Sequence, residues 1–367
     1  MAPSPAEKRS LIDLWEEFPE FEPRVKEALR SYSKNSQLAL RADWRTWRSF
    51  TFSQNCPVLP ARVADVVAFV LAHSPSQTAD ERRVLAAAPV SDNDRAKAAS
   101  TVQRYLHSLS AVHRLARLPD PTKDADVAAV RRRVTRGRGA KRQKTGVNRP
   151  LLEDLLSVLG DSLWDRRGKA MLLTAYCTLA RSAELVALTV EDLRVSEHGD
   201  GYAIIRSSKT DPEGQGSHRY LAGAAIEALK AWIDAVGIKE GYIFRRIHKH
   251  GGVTAMPVDP HEVARVLRAV IRRLPMEKRP MGEFAGHSTR IGAAQDLVAA
   301  GQDLLAVMQA GGWKDPKMPA RYTEHLAAMR GGMAQLWARA EPRLSVSADA
   351  PSSIEYLAAG AFSRPRS

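Results

Sequence analysis

The sequence predicts a mainly α-helical protein of two domains: an all-helical N-terminal domain, then a mixed α/β domain that is mostly helical with a small antiparallel sheet. Three observations predict it. Apolar and aromatic residues recur at helical spacing through residues 36–135, as in Leu38, Leu40, Trp44 and Trp47. Three short strand-like runs, 193–196, 201–207 and 218–221, interrupt the helical pattern further on, the last two joined by the turn sequence DPEGQG. Between the two regions lies RRRVTRGRGAKRQKT (131–145), which carries Lys or Arg at eight positions and no acid. Its glycines and missing apolar periodicity mark a linker.

Each element follows from local signals. Residues 1–35 are mixed-charge and prolyl and read as a loosely held arm. Helices are expected over 36–50 and over 61–73, where Pro60 stands near the start. Residues 74–93 read as loop with a short helical piece. Asp94 is placed to cap a long helix reaching Leu118, with Val102, Leu106, Leu109 and Val112 on one side. Pro119-Asp120-Pro121 stops it, and a helix over 124–134 completes the helical domain (36–135). The linker then spans 136–149, and a second domain 150–345. Helices are expected there over 151–159, 167–179, 222–236, 260–274, 288–300, 302–310, 316–325 and 326–340, before a Ser-, Ala- and Pro-rich tail over 346–367.

Composition narrows the partner. A formal charge of +14 with 44% apolar residues describes a soluble, basic protein suited to a polyanion, since neutralised phosphates release counterions. The two cysteines, Cys56 and Cys177, lie far apart without metal-ligand spacing. Neither apolar run, 63–72 or 170–180, is long enough to span a bilayer, and the N-terminus has no apolar signal core, so a cytoplasmic, nucleoid-associated protein is expected. No metal cluster and no nucleotide-binding loop stands out, so no cofactor is expected.

The most informative stretch is GHSTRIGAAQDLVAAGQDLLAVMQAGGWKDPKMPARYTEHL (286–326). His287 and Arg290 sit three positions apart at a helix start, where backbone N–H groups favour an anion. Trp313 follows two glycines and offers a donor-only indole N–H. Tyr322 lies nine positions later. Upstream, Arg181 follows an apolar helix and Lys209 stands at a strand end. The set suits a phosphodiester. Forked, permanently charged arginines grip non-bridging oxygens, a lysine donates a proton to the leaving oxygen, and a tyrosine attacks phosphorus. His287 could accept the tyrosine proton or hold a phosphoryl oxygen. Glu184, one turn after Arg181, could orient Arg181 or His287, or form an ordinary helix salt bridge.

The order Arg181, Lys209, His287-x-x-Arg290, Trp313, Tyr322 resembles the tyrosine recombinases, the λ-integrase family. Most members carry a histidine where Trp313 stands. The likeness extends to RADWRTWRSF, TVQRYLHSLSAVHRLARLPDP and ARSAELVAL and covers roughly residues 35–340. It implies a C-shaped clamp on DNA, made by a core-binding domain and a catalytic domain. It also implies metal- and ATP-independent cleavage and rejoining of double-stranded DNA at inverted half-sites, through a 3′-phosphotyrosyl intermediate and a Holliday junction. The active species would be a homotetramer on paired sites, coupled by a C-terminal helix docking in trans, in a protein of phage, plasmid or bacterial origin with no membrane or small-molecule partner. In that reading Arg181, Arg290, His287 and Trp313 hold the phosphate, Lys209 is the general acid and Tyr322 the nucleophile. Gln103, Arg104 and Arg45 in the first domain, and His261 and Arg265 in the second, are candidate DNA contacts. Each serves equally as a base reader or as a phosphate contact or solvated side chain. A type IB topoisomerase and a DNA-binding protein without catalysis are the competing readings.

Overall fold

The computed structural model describes residues 27, 29–74, 97–136, 143–206, 216–248 and 250–340. It divides into two compact units, 1–142 and 143–367.

The first unit is helical in its described part: α1 (Lys34–Ser53), α2 (Val63–Ala72), α3 (Ala99–Leu115) and α4 (Ala125–Thr135). Ser33 caps α1, its hydroxyl accepting from the Ser36 amide. The helix then buries Trp44, Trp47 and Phe50 on one face. The Trp47 and Phe69 rings meet edge to face at 5.2 Å, and the Trp47 indole N–H donates to the Val58 carbonyl at 2.9 Å, so the large ring is buried without an orphaned donor. α3 starts at Ala99 with Ala98 at the cap position, not at Asp94, which lies outside the described residues together with 75–96.

His113, fully buried on α3, fastens this unit. Its Nε2 accepts from the Ala61 amide at 3.0 Å while Nδ1 donates to the Leu109 carbonyl at 2.9 Å, an arrangement open only to the neutral ring. Burial accordingly lowers its pKa from the ordinary value of 6.5, against smaller raising effects of the Leu109 carbonyl and Asp120. The folded state therefore binds this proton less readily than the unfolded chain. The stability is intact above about pH 6.5 and falls as the pH drops from there toward the lower folded pKa. Thermal melts of wild type should lose stability between pH 7 and pH 5 by more than those of His113→Gln, and parallel losses would disprove the assignment.

The second unit runs α5 (Arg149–Ser157), α6 (Leu163–Thr178), α7 (Ser182–Val186), β1 (Leu193–Val195), β2 (Gly201–Ile205), β3 (Ser217–Leu221), α8 (Gly223–Val236), β4 (Arg245–Ile247), β5 (Val253–Pro257), α9 (His261–Arg273), α10 (Ser288–Ala299), α11 (Leu304–Gly311), α12 (Lys317–Arg330) and α13 (Gly332–Ala340). Strands β1, β2 and β3 form an antiparallel sheet in that order, with Ala203 opposite Arg219. The β4–β5 hairpin is a second sheet that the sequence reading did not include. α6 begins four residues before the expected Arg167, because the Ser162 hydroxyl accepts from the Asp165 amide and caps it. Its residues Ala170, Met171 and Leu172 are fully buried in the core with Trp232 of α8 and Val266 and Leu267 of α9. The Trp232 indole donates to the Ile243 carbonyl at 2.8 Å.

Helix α10 is bound on several sides. Asp296 accepts from the Tyr176 hydroxyl at 2.5 Å and from the Arg149 amide at 2.7 Å, joining α6, α5 and α10. The segment before α5 lies along the start of α10. The Val147 amide donates to the Ser288 carbonyl at 2.8 Å, and a Cβ on Gly292 would stand 1.9 Å from the Val147 carbonyl oxygen. Only glycine admits that approach. No helix of the described residues is long and apolar enough to cross a membrane.

Candidate active site

Two chain reversals assemble the site. Helix α6 ends at Leu179 in the left-handed region (φ 49°), which turns the chain so that Arg181 becomes the N-cap of the short helix α7. Glu184, 6% exposed, accepts from the Arg181 amide at 2.8 Å and from its Nη1 at 2.5 Å. Of the partners open to Glu184 in the sequence, the structure gives it Arg181. The carboxylate binds both ends of the residue and leaves the guanidinium one fixed orientation.

The second reversal precedes α10. The Ser182 hydroxyl donates to the Gly286 carbonyl at 3.2 Å, and a Cβ on Gly286 would lie 2.2 Å from that hydroxyl. Gly286 thus lets the start of α10 close on α7. His287 takes the N-cap position of α10 and keeps an exposed edge, whereas Arg290, one turn on, is 2% exposed. Crowding by protein atoms, then the positive charges of Arg290 and Arg181, lower the His287 pKa below 6.5, partly opposed by Glu184. The imidazole is therefore neutral at physiological pH and able to accept a proton.

Arg290 is the most constrained cation. Nη1 donates to the Leu179 carbonyl, and the guanidinium lies over the Trp313 ring at 3.9 Å from its centroid. Nη2 is buried and, among the described residues, has no hydrogen-bond partner. Burial, then the Arg181 charge, pushes its pKa down to about 10, with Glu184 pulling the other way. A buried guanidinium with a spare donor and no carboxylate of its own is short of one anion.

Trp313 follows the turn that ends α11, where Gly312 is left-handed (φ 61°). The Trp313 and Tyr322 rings meet edge to face at 6.1 Å. Tyr322, 8% exposed on α12, has its carbonyl held by the Gln295 side-chain Nε2 at 3.1 Å, so α10 positions α12 as well. Among the described residues no group engages the Tyr322 hydroxyl.

Arg181, Glu184, His287, Arg290, Trp313 and Tyr322 therefore gather in one place. Lys209 lies outside the described residues, as do 207–215 around it. Gln103, Arg104 and Arg45 are exposed on α3 and α1 of the first unit, His261 and Arg265 on α9 of the second. Arg104 pairs with the buried Asp43, which also accepts from the Ser108 hydroxyl at 2.6 Å, so its guanidinium is already anchored at one end. Arg265 pairs with Glu262 at 3.1 Å.

One member was missed from sequence. Arg219 of β3 is 4% exposed, and its charge acts on Arg290 while those of Glu184 and Arg181 act on it. Strand alternation held the signal. His218 and Tyr220 point outward, so Arg219 shares the inward phase of the buried Leu221.

Residues 151–329, which contain every described member of the cluster, match the phage integrase family. The chain is 26% identical over 347 residues to the recombinase Cre of Escherichia phage P1, covering 90% of this chain and 92% of that protein. It is 26% identical over 311 residues to an integrase/recombinase XerD homolog of Selenomonas ruminantium, covering 80% and 83%. In fold it is similar to XerH site-specific recombinase bound to a palindromic difH substrate, with a TM-score of 0.55 and 14% identity over 87% of this chain and 84% of that one. It is likewise similar to a λ integrase (75–356) dimer bound to a COC′ core site, with a TM-score of 0.52 and 13% identity over 83% and 95%. With that cluster in place, the match of residues 151–329 to the phage integrase family and the likeness to these two recombinases support a tyrosine site-specific recombinase.

Proposed function

We propose that this recombinase cuts and rejoins double-stranded DNA at inverted-repeat sites through a 3′-phosphotyrosyl intermediate. The observation that carries the reading is the buried Nη2 of Arg290, unpartnered among the described residues, held beside Trp313 and within electrostatic reach of Tyr322. A phosphodiester oxygen supplies the missing acceptor. Arg181 and Arg290 then bind non-bridging oxygens and offset the charge that builds on the pentacoordinate phosphorus. The Tyr322 oxygen attacks phosphorus and its proton passes to neutral His287. The bond to the 5′ oxygen breaks, and Lys209 protonates that oxygen as it leaves. The energy of the broken ester stays in the phosphotyrosine, so no ATP is consumed. A 5′-hydroxyl of a partner strand attacks the phosphotyrosine and frees Tyr322, and one such exchange in each of two duplexes makes a Holliday junction.

Four protomers on two paired sites fit this chemistry. Helix α13 exposes Met333, Leu336 and Trp337, an apolar strip suited to docking on a neighbouring protomer. The DNA complexes of XerH and λ integrase support a DNA partner, and Gln103, Arg104, Arg45, His261 and Arg265 are the exposed side chains proposed to contact it.

The test is to recover DNA covalently attached to the protein in cells carrying the source replicon and to sequence the attachment points. A sharp accumulation at one inverted repeat is expected. A diffuse distribution would replace the reading by topoisomerase-like relaxation, and plasmids lacking any target would then be relaxed. For Lys209→Ala, cleavage should fall and be restored by a substrate with bridging sulfur at the leaving position, since a thiolate leaves without an acid. Lack of rescue would assign Lys209 to binding instead.

A further inference from the structure

We propose that Arg219 is a positioning residue for this reaction, holding Trp313 against Arg290 by gripping the end of helix α11; the inference rests on the recombinase reading above. Its Nη1 donates to the carbonyls of Gln309 and Ala310, at 2.9 and 3.0 Å. These lie in the last turn of α11, where carbonyls lack helical partners and the helix dipole favours a cation. The turn that follows is built around the guanidinium. A Cβ on Gly312 would fall 1.7 Å from Arg219 Nη2, and one on Gly311 would fall 1.9 Å from the Trp313 ring. Gly311 leaves room for the Trp313 ring, and Gly312 meets both the left-handed φ of 61° and the closeness of Arg219.

Two hydrogen bonds close the turn, from the Gly312 amide to Gln309 at 3.2 Å and from the Trp313 amide to Met308 at 2.9 Å. Gln309 thus accepts from the turn and from Arg219 together. The guanidinium is fixed to the sheet by strand β3, whose pairing with β2 runs through Arg219 itself. The sheet therefore sets where α11 ends, that end sets the Trp313 ring, and the ring lies on Arg290. Arg219 does this from a buried position, and among the described residues its Nε has no partner and no carboxylate is bonded to it. A buried guanidinium held on carbonyls alone is costly to maintain. A cation whose only task was to tie β3 to α11 could be exchanged for an apolar side chain with little loss.

The test uses the full chain in three variants. Arg219→Met fills the volume without donors, Arg219→Lys restores a cation, and Gly312→Ala pushes on the guanidinium from the turn while leaving the core alone. Hydrogen exchange at the Gly312 and Trp313 amides, which needs no DNA, should quicken at least tenfold in Arg219→Met, with α8 unchanged, and should return part of the way in Arg219→Lys. On a nicked duplex carrying the mapped attachment point, adduct formation at saturating DNA should fall tenfold or more in Arg219→Met and threefold or more in Gly312→Ala. The half-saturating DNA concentration should not move in either.

Unchanged exchange at both amides would overturn the proposal, as would a loss confined to DNA affinity. If Arg219→Met does not fold, Gly312→Ala decides the matter, and a wild-type rate in it would overturn the proposal. Faster exchange in Arg219→Met with no adduct formed even by wild type would sink the recombinase chemistry and leave the positioning of Trp313 standing.

Discussion

Tyr322→Phe should form no covalent adduct with DNA, a loss of about 10⁴-fold or more as expected when a nucleophile is removed, while binding DNA as wild type does. The substitution is structurally mild. The ring is retained against Trp313, Gln295 still holds the backbone carbonyl, and the deleted hydroxyl engages none of the described residues. Stability should therefore change by less than about 1 kcal/mol, because no buried hydrogen bond is broken. Gel shifts and detergent-resistant adducts, measured on the same preparation, separate the two effects. Persistent cleavage would show that another group attacks phosphorus. Loss of binding alongside cleavage would show that the tyrosine serves the interface and not the reaction.

Arg290→Met should abolish the chemistry and yet stabilise the protein. A guanidinium whose pKa is pushed down from its ordinary value to about 10 by burial and the Arg181 charge carries a charge that the fold disfavours. The difference corresponds to something on the order of 3 kcal/mol at neutral pH. The sign is that of a cation with a depressed pKa. The folded form releases this proton first, so stability rises as pH climbs above about 10, and at pH 7 the cost is borne in full. Methionine of similar length removes the charge and keeps the volume under the indole, an exchange that is often neutral or stabilising by about 1–4 kcal/mol. The melting temperature should rise by a few degrees while adduct formation falls at least about 10²–10³-fold, as when a donor to a transition-state oxyanion is lost. Arg290→Lys should recover little of the rate, because an ammonium supplies neither the fork nor the flat face that lies on Trp313. A lowered melting temperature in Arg290→Met would mark the Leu179 hydrogen bond as the dominant role of this side chain.

Much of the fold was legible because it rests on periodicity. Trp44 and Trp47 announce the buried face of α1, and the alternation in 193–221 announces the three-stranded sheet. The residues around 286–322 were legible for another reason. Histidine, arginine, tryptophan and tyrosine in that order suggested a phosphodiester site, whereas their distances needed the fold. What sequence could not rank was choice among equivalent partners. Glu184 could have served Arg181 or His287 until the left-handed Leu179 set the Arg181 amide above it. Arg219 was passed over because a strand arginine is ordinarily solvated, and only the third dimension places it under α11. The β4–β5 hairpin escaped because its strands are short, basic and only half-buried, with little alternation to detect.

The segment that leads into α5 carries a consequence for modular engineering. Thr145 donates its amide to Glu283, Val147 to Ser288, and Asn148 caps α5, so these residues are a fixed strap on the helix that bears Arg290. A chimera that exchanges the first unit should therefore join upstream of Gln143. A splice even a few residues later would cut the strap itself and loosen the helix that carries Arg290, whatever the new module does.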